Sequence, residues 1–342
     1  MSSLELLDQD SAAFMRASVV AAMAELDLST AILKHGNSAS LEELAKACAC
    51  DPRGLEALLD ALSALGYLSK DGSASQARYA VAQDYTELLD SRKADSYMPM
   101  LRHRASMLRS WAHLVWAVQD GRPKKSMAKS FLGPETDSIS FISAMNAIAL
   151  RLTDQTMAEL QKSGVLAALP ADARILDIGG ASGTYTLAFL KQLPKASACI
   201  FDLPAGISQA KKRFLGSEYA DRVRLVEGDF TRTDLPQSYD FAWLSAIIHQ
   251  LGRQESQALY AKIYAALKPC GLLAIRDFVM DESRTSPVDG TLFGLNMLVA
   301  TEHGRVYTFA EISEDLSASG FIEIKKVVDV PTMSSVVLAR KP

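Results

Sequence analysis

RILDIGGASGTYTLAFL, residues 174–190, reads as a short apolar strand, a glycine turn and a helix. Arg174 to Ile178 form the strand, and the helix begins near Thr184. Such a turn lets the backbone approach a ligand closely, and the helix behind it aims unpaired N–H groups at that ligand. The spacing narrows the ligand class. A dinucleotide fingerprint places glycines at i, i+2 and i+5. Here they stand at Gly179, Gly180 and Gly183, behind Asp177, so that fingerprint is not met.

Outward from this turn the chain alternates strands and helices. ARILDI, SACIFDL, RVRLVEG, YDFAWLS and LLAIRDF are apolar runs separated by helical stretches, the pattern of a parallel α/β sheet with crossovers. FIEIKKVV and SSVVLAR follow as two further strands joined near Pro331, read as an antiparallel pair at the sheet edge. In such sheets ligands bind beyond the carboxyl ends of the strands. Asp202 ends the second strand, where it can accept from two ribose hydroxyls. Asp229 is read as ending the third, where it can accept from an adenine amino group, with Phe230 beside the ring. A sulfonium that also carries an ammonium suits this acidic clustering; a pyrophosphate does not.

The N-terminal part is helical. Residues 10–35 read as one helix with Phe14, Val19, Met23, Leu26 and Ile32 on its apolar positions. Residues 41–82 read as two short helices joined at Asp51-Pro52, then a hairpin from Tyr67 to Ala82 with Asp71-Gly72 at its tip. That is a winged-helix pattern, but its charge is wrong for DNA. Leu41 to Lys93 hold six Lys/Arg against nine Asp/Glu, and the second helix carries Glu56 and Asp60. A structural or dimer-forming role is favoured. Residues 96–160 read as all-helical, divided by the polar break at 121–125 and by Gly133-Pro134.

Composition agrees with a soluble globular chain of two domains: 342 residues, 49% hydrophobic, 22% charged. A net charge of −4 gives no case for nucleic acid or an anionic membrane. Glu5, Asp8 and Asp10 precede the first apolar stretch, so no signal peptide is expected, and no run is long enough to span a bilayer. The expected location is the cytoplasm. Cys48, Cys50, Cys199 and Cys270 have no partners at ligand spacing, so no metal is expected.

DIGGASG (177–183), FDLP (201–204), GDF (228–230), the IIH segment ending at His249, LKPCGLL (267–273) and GRVYT (304–308) together resemble one family. It is the plant-type and acetylserotonin-type small-molecule O-methyltransferases, class I enzymes dependent on S-adenosylmethionine (SAM). The resemblance covers essentially the whole chain. It implies a homodimer with a winged-helix dimerisation domain over 1–95. A helical linker with an acceptor pocket follows over 96–160, and a Rossmann-like SAM domain over 161–342. It implies cofactor contacts from Asp177, Gly179, Gly180, Gly183, Asp202, Leu203, Asp229, Phe230 and Ser245. Ala181 departs from a common family glycine; alanine is small, so SAM binding is expected to survive.

By the same resemblance His249 is a general base on an acceptor hydroxyl, work suited to an imidazole near neutral pH. Asp277 matches a residue that orients it. Two supports are missing: Gln250 replaces an acidic neighbour, and Val306 stands where a second orienting glutamate is expected. His303 and Tyr307 lie nearby, with surface or packing roles favoured. Trp111, Phe141, Met145, Phe293, Asn296 and Met297 are candidates for the acceptor pocket, a lining for a flat and mainly apolar molecule. The reading is a methyltransferase acting on a hydroxyl of a small aromatic or polyketide-like acceptor. Two alternatives stand beside it: carbon or nitrogen methylation on the same scaffold, or a SAM-binding regulatory protein with little turnover.

Overall fold

The computed structural model describes residues 2–72, 76–93, 95–124 and 132–342, the side chains of 134–138 excepted. Lys125, the end of the polar break noted above, lies outside the described residues. The chain forms two compact units, residues 1–112 with 126–147 and residues 113–125 with 148–342.

The first unit opens with α1 (Ser3–Glu25), started by a capping box in which Ser2 and Glu5 exchange hydrogen bonds. The single helix expected over 10–35 is in fact two. Asp27 takes a left-handed backbone (φ 51°), and α2 (Leu28–Lys34) starts behind it. An aspartate tolerates that conformation better than most residues. Here its carboxylate also pairs with Arg102 at 3.0 Å and accepts from Ser91 Oγ. A short strand unread in the sequence, β1 (Ala39–Ser40), leads into α3 (Leu41–Cys48) and α4 (Pro52–Ala64), the latter capped by Asp51 with proline in its first turn. The hairpin is β2 (Leu68–Asp71) and β3 (Arg78–Val81), and β1 adds to β3 to give a three-stranded antiparallel sheet. Met23, Leu28, Ile32, Leu44, Leu59 and Tyr79 form the core of this winged helix. Helix α5 (Met98–Trp111) lies against α1, tied by a bidentate Arg109–Glu25 pair.

Helix α6 (Leu114–Asp120) belongs to the second unit, and α7 (Pro134–Lys162) runs from the first unit into the second. Then come β4 (Arg174–Ile178), α8 (Thr184–Gln192), β5 (Ser197–Asp202), α9 (Pro204–Phe214), β6 (Val223–Glu227) and β7 (Tyr239–Ser245). They are followed by α10 (Arg253–Ala266), β8 (Leu267–Asp277), β9 (Val279–Met280), α11 (Val288–Ala300), β10 (Tyr307–Thr308), α12 (Phe309–Ala318), β11 (Ile322–Val328) and β12 (Ser335–Arg340). The main sheet has seven strands in the order β11-β12-β8-β7-β4-β5-β6. Strands β6, β5, β4, β7 and β8 are parallel, and β12 is antiparallel to both its neighbours, as the two C-terminal apolar runs suggest. Both faces are buried. Leu176, Ile178, Ala242, Leu244, Leu273 and Ile275 pack on one; Ile175, Phe241, Trp243 and Ala274 pack on the other. Because the five parallel strands point one way, Ile178, Asp202, Glu227, Ser245 and Asp277 all end at one edge of the sheet. That edge is where ligands bind in this architecture.

Candidate active site

At the end of β4 the chain turns through Gly179, whose N–H donates to the Phe201 carbonyl at 2.8 Å, and Gly183, which caps α8 with φ 75°. The turn closes over a carboxylate. A Cβ at Gly180 would lie 2.6 Å from Asp177 Cγ, so only glycine fits there. Asp177 is fully buried and accepts from Thr186 Oγ1 at 2.6 Å; burial pushes its pKa up to about 7. Asp202 binds the same turn from β5. Its Oδ2 accepts the Ala181 N–H at 2.6 Å and its Oδ1 the Leu203 N–H at 2.6 Å. Burial raises its pKa and those two donors oppose the rise. Each oxygen keeps a second lone pair for a further donor. Leu203 exposes its apolar side chain beside it.

Ala181 sits in the left-handed region at φ 45°. A Cβ there costs roughly 1–2 kcal/mol, and glycine's greater freedom in the unfolded chain returns part of that. We expect Ala181→Gly to raise unfolding stability by about 0.5–1 kcal/mol. A urea midpoint that is unchanged or lowered would contradict it.

The third strand stops earlier than the sequence suggests. Strand β6 ends at Glu227, and Asp229 lies two residues beyond it. Its Oδ1 caps the following turn, accepting the Thr231 hydroxyl (2.6 Å) and N–H (2.9 Å), and these donors hold its pKa below the ordinary carboxylate value. Phe230 is half-buried against the core, and its carbonyl accepts Lys262 Nζ at 2.8 Å. Ser245 ends β7, and its Oγ accepts from Arg276 Nη1 at 3.2 Å.

Four residues past Ser245, a single turn of 3-10 helix (Ile248–Gln250) presents His249, which is buried. Its Nδ1 lies 2.9 Å from both Asp277 oxygens, and Asp277 Oδ1 also accepts the Phe278 N–H at 2.8 Å. A carboxylate at Nδ1 fixes the tautomer with the proton on that nitrogen, which leaves Nε2 as the basic atom. Phe293 meets the imidazole edge-on, with centroids 4.8 Å apart and planes at 86°. The segment carrying Gly304 passes close beneath: a Cβ at Gly304 would come within 2.6 Å of the His249 carbonyl oxygen.

Residues 111–322 match the O-methyltransferase domain family, and residues 9–84 match the O-methyltransferase dimerisation domain. The chain belongs to the O-methyltransferase family. It is 30% identical to the tetracenomycin polyketide synthesis 8-O-methyl transferase TcmO of Streptomyces glaucescens, over 96% of this chain and 94% of that protein. It is 28% identical to acetylserotonin O-methyltransferase of Gallus gallus, over 94% and 93%. The structure of human N-acetylserotonin methyltransferase in complex with SAM aligns over 100% of this chain and 99% of that one, with a TM-score of 0.78 and 24% identity.

As a SAM-dependent O-methyltransferase this chain has a donor set that fits its cofactor. The turn has backbone room over a buried carboxylate, and Asp202 and Asp229 stand at the same strand edge. Among the described residues no group of three or more His, Cys, Asp or Glu could hold a metal ion. Val306, where a second orienting glutamate was expected, packs by its Cγ2 on Gly294 of α11. Gln250 is exposed and donates to the Ala246 carbonyl. Tyr307 is buried with its hydroxyl donating to the Leu251 carbonyl at 2.8 Å, and His303 is exposed against Gly252.

The acceptor candidates divide between the units. Trp111, Phe141 and Met145 are in the first; Phe141 is exposed and rests on the His103 ring. Phe293, Asn296 and Met297 are on α11 in the second, with Asn296 and Met297 buried. Two residues went unread in the sequence. Arg276 is buried beside Ser245, and its signal was visible as a charge inside an apolar run. Gly304 was quoted only as part of a motif, and its close approach to His249 has no marker in one sequence.

Proposed function

We propose that this O-methyltransferase methylates a hydroxyl of a small, flat aromatic or polyketide-like acceptor, with His249 as general base. The observation that carries this is the buried His249–Asp277 pair at the strand edge that holds the glycine turn. The family's relatives include TcmO, named for polyketide synthesis, and acetylserotonin enzymes, named for an aromatic amide.

When bound, the cofactor supplies a methyl carbon on a sulfonium sulfur that departs as a neutral thioether. Asp177, the turn at Gly179, Gly180 and Gly183, and Asp202, Leu203, Asp229, Phe230 and Ser245 orient it. His249 Nε2 would take the acceptor's hydroxyl proton, freeing that oxygen to receive the methyl group. Asp277 holds the proton on Nδ1 and stabilises the imidazolium. Phe293, Asn296 and Met297 on α11 line the acceptor side of the second unit, inside a working division of the chain into 1–95, 96–160 and 161–342. One carboxylate on the imidazole in place of two favours acceptors whose hydroxyl is already acidic, where proximity supplies much of the acceleration.

The test is transfer of a labelled methyl group from SAM to a panel of naphthols, hydroxyindoles and polyketide phenols. Label recovered as a methyl ether supports the reading; label only on carbon or nitrogen, or none at all, overturns it. The dimerisation domain supports a homodimer, which light scattering at micromolar concentration would show as twice the monomer mass. No helix among the described residues is long and apolar enough to cross a membrane, and we place the enzyme in the cytoplasm.

A further inference from the structure

Arg276 is a buried cation that the mechanism above does not use. It precedes Asp277 on β8, so its side chain leaves the opposite face of the sheet, toward α8. It is 4% exposed. Nη1 donates to Ser245 Oγ at 3.2 Å and Nη2 to Ser334 Oγ at 2.9 Å, and the guanidinium lies over the Tyr185 ring, 5.3 Å from its centroid. Among the described residues no carboxylate pairs with it. Its Nε has no hydrogen-bond partner, and neither do the buried Tyr185 hydroxyl and Trp243 Nε1 on the same face.

A guanidinium has five N–H donors, and two are accounted for by hydroxyls here. Taking a charge out of water is costly unless it is paired, and one aromatic face offsets only part of that cost. Burial accordingly lowers the Arg276 pKa. A bound anion would satisfy this group.

Position says which anion. Ser245 and Arg276 are register partners at the ends of β7 and β8. The same two strand ends deliver His249 and Asp277 on the other side, and the next N–H after Ser245, from Ala246, donates to the Arg276 carbonyl at 2.8 Å. Tyr185 lies on the first turn of α8, directly behind the glycine turn. Arg276 therefore lies at the same strand edge as the glycine turn, on the α8 side of the sheet. In SAM the carboxylate is a short methylene chain away from the sulfur that must face the acceptor.

We propose that Arg276, with Ser245, binds the α-carboxylate at the methionine end of the cofactor. This rests on the SAM-dependent reading above. Charge-assisted hydrogen bonds to a carboxylate are the strong ones, and their planar, two-pronged form is particular to arginine.

The experiment is calorimetry with S-adenosylhomocysteine and its decarboxylated amine analogue, S-adenosyl-3-thiopropylamine, on wild type, Arg276→Met and Arg276→Lys. We expect Arg276→Met to weaken S-adenosylhomocysteine about 10- to 100-fold while leaving the amine analogue unchanged. Arg276→Lys should recover part of the loss. Retained binding of the analogue shows that the variant still folds. Equal S-adenosylhomocysteine affinity in wild type and Arg276→Met overturns the proposal and leaves SAM dependence standing. Equal losses for both ligands also overturn it, because the change then acts on the adenosine site or the fold. Failure of the wild type to bind S-adenosylhomocysteine would remove the cofactor reading itself.

Discussion

Replacing His249 by alanine should lower turnover by roughly 10²–10⁴-fold while cofactor affinity stays at the wild-type value, the range general base catalysis supplies. Among the described residues the His249 imidazole is held by Asp277 at 2.9 Å and meets an aromatic edge from Phe293. Asp277 and Phe293 lie outside the glycine turn, so calorimetry with S-adenosylhomocysteine should not distinguish the variant from wild type. Asp277→Asn should keep the proton-carrying atom but loosen its tautomer, giving a smaller loss. A His249→Ala enzyme that turns over a true acceptor at near the wild-type rate would show that orientation alone carries the reaction, and the base assignment would fall.

This site was partly legible because its chemistry sits in short sequence intervals. Asp177 to Gly183 is one local turn, and a turn needing close backbone approach marks itself with glycine. Asp277 ends the apolar run of β8, and His249 follows that of β7 by four residues in a single 3-10 turn, so an apolar run marks the approach to each. What escaped the sequence depends on distance in the fold. The break at Asp27 needs Ser91 and Arg102 to hold its carboxylate, partners 64 and 75 residues away (91 − 27 and 102 − 27). Asp229 was given a strand end, but a hydroxyl two residues on, Thr231, draws it into a turn cap. Phe293 was grouped with pocket residues because nothing local links α11 to the turn at Ile248–Gln250. Arg276 went unread; what marks it is burial on a sheet covered on both faces, with no carboxylate paired to it among the described residues.

The buried Asp177 should make the ligand-free enzyme lose stability as the pH rises. Burial lifts its carboxyl from 3.8 to about 7 in the folded chain, while the Thr186 hydroxyl opposes that rise and the nearby Asp202 charge adds to it. The folded state therefore binds this proton more tightly than the unfolded state. Its contribution is fully present below about pH 4, declines between about 4 and 7, and is flat above. At 1.36 kcal/mol per unit the loss is on the order of 4 kcal/mol. Asp177→Asn keeps an acceptor for Thr186 and removes the charge. The difference in unfolding free energy between variant and wild type should then grow in the variant's favour from pH 4.5 to 7.5. Taking that difference cancels the titration of every group the two chains share. If urea midpoints at a series of pH values give a constant difference, the carboxylate is not paying a desolvation cost in the fold. On the proposed cofactor assignment the same substitution should weaken S-adenosylhomocysteine, because it removes a negative charge that would attract the cofactor's ammonium. Stability gained with affinity lost would identify Asp177 as a strained group kept for binding.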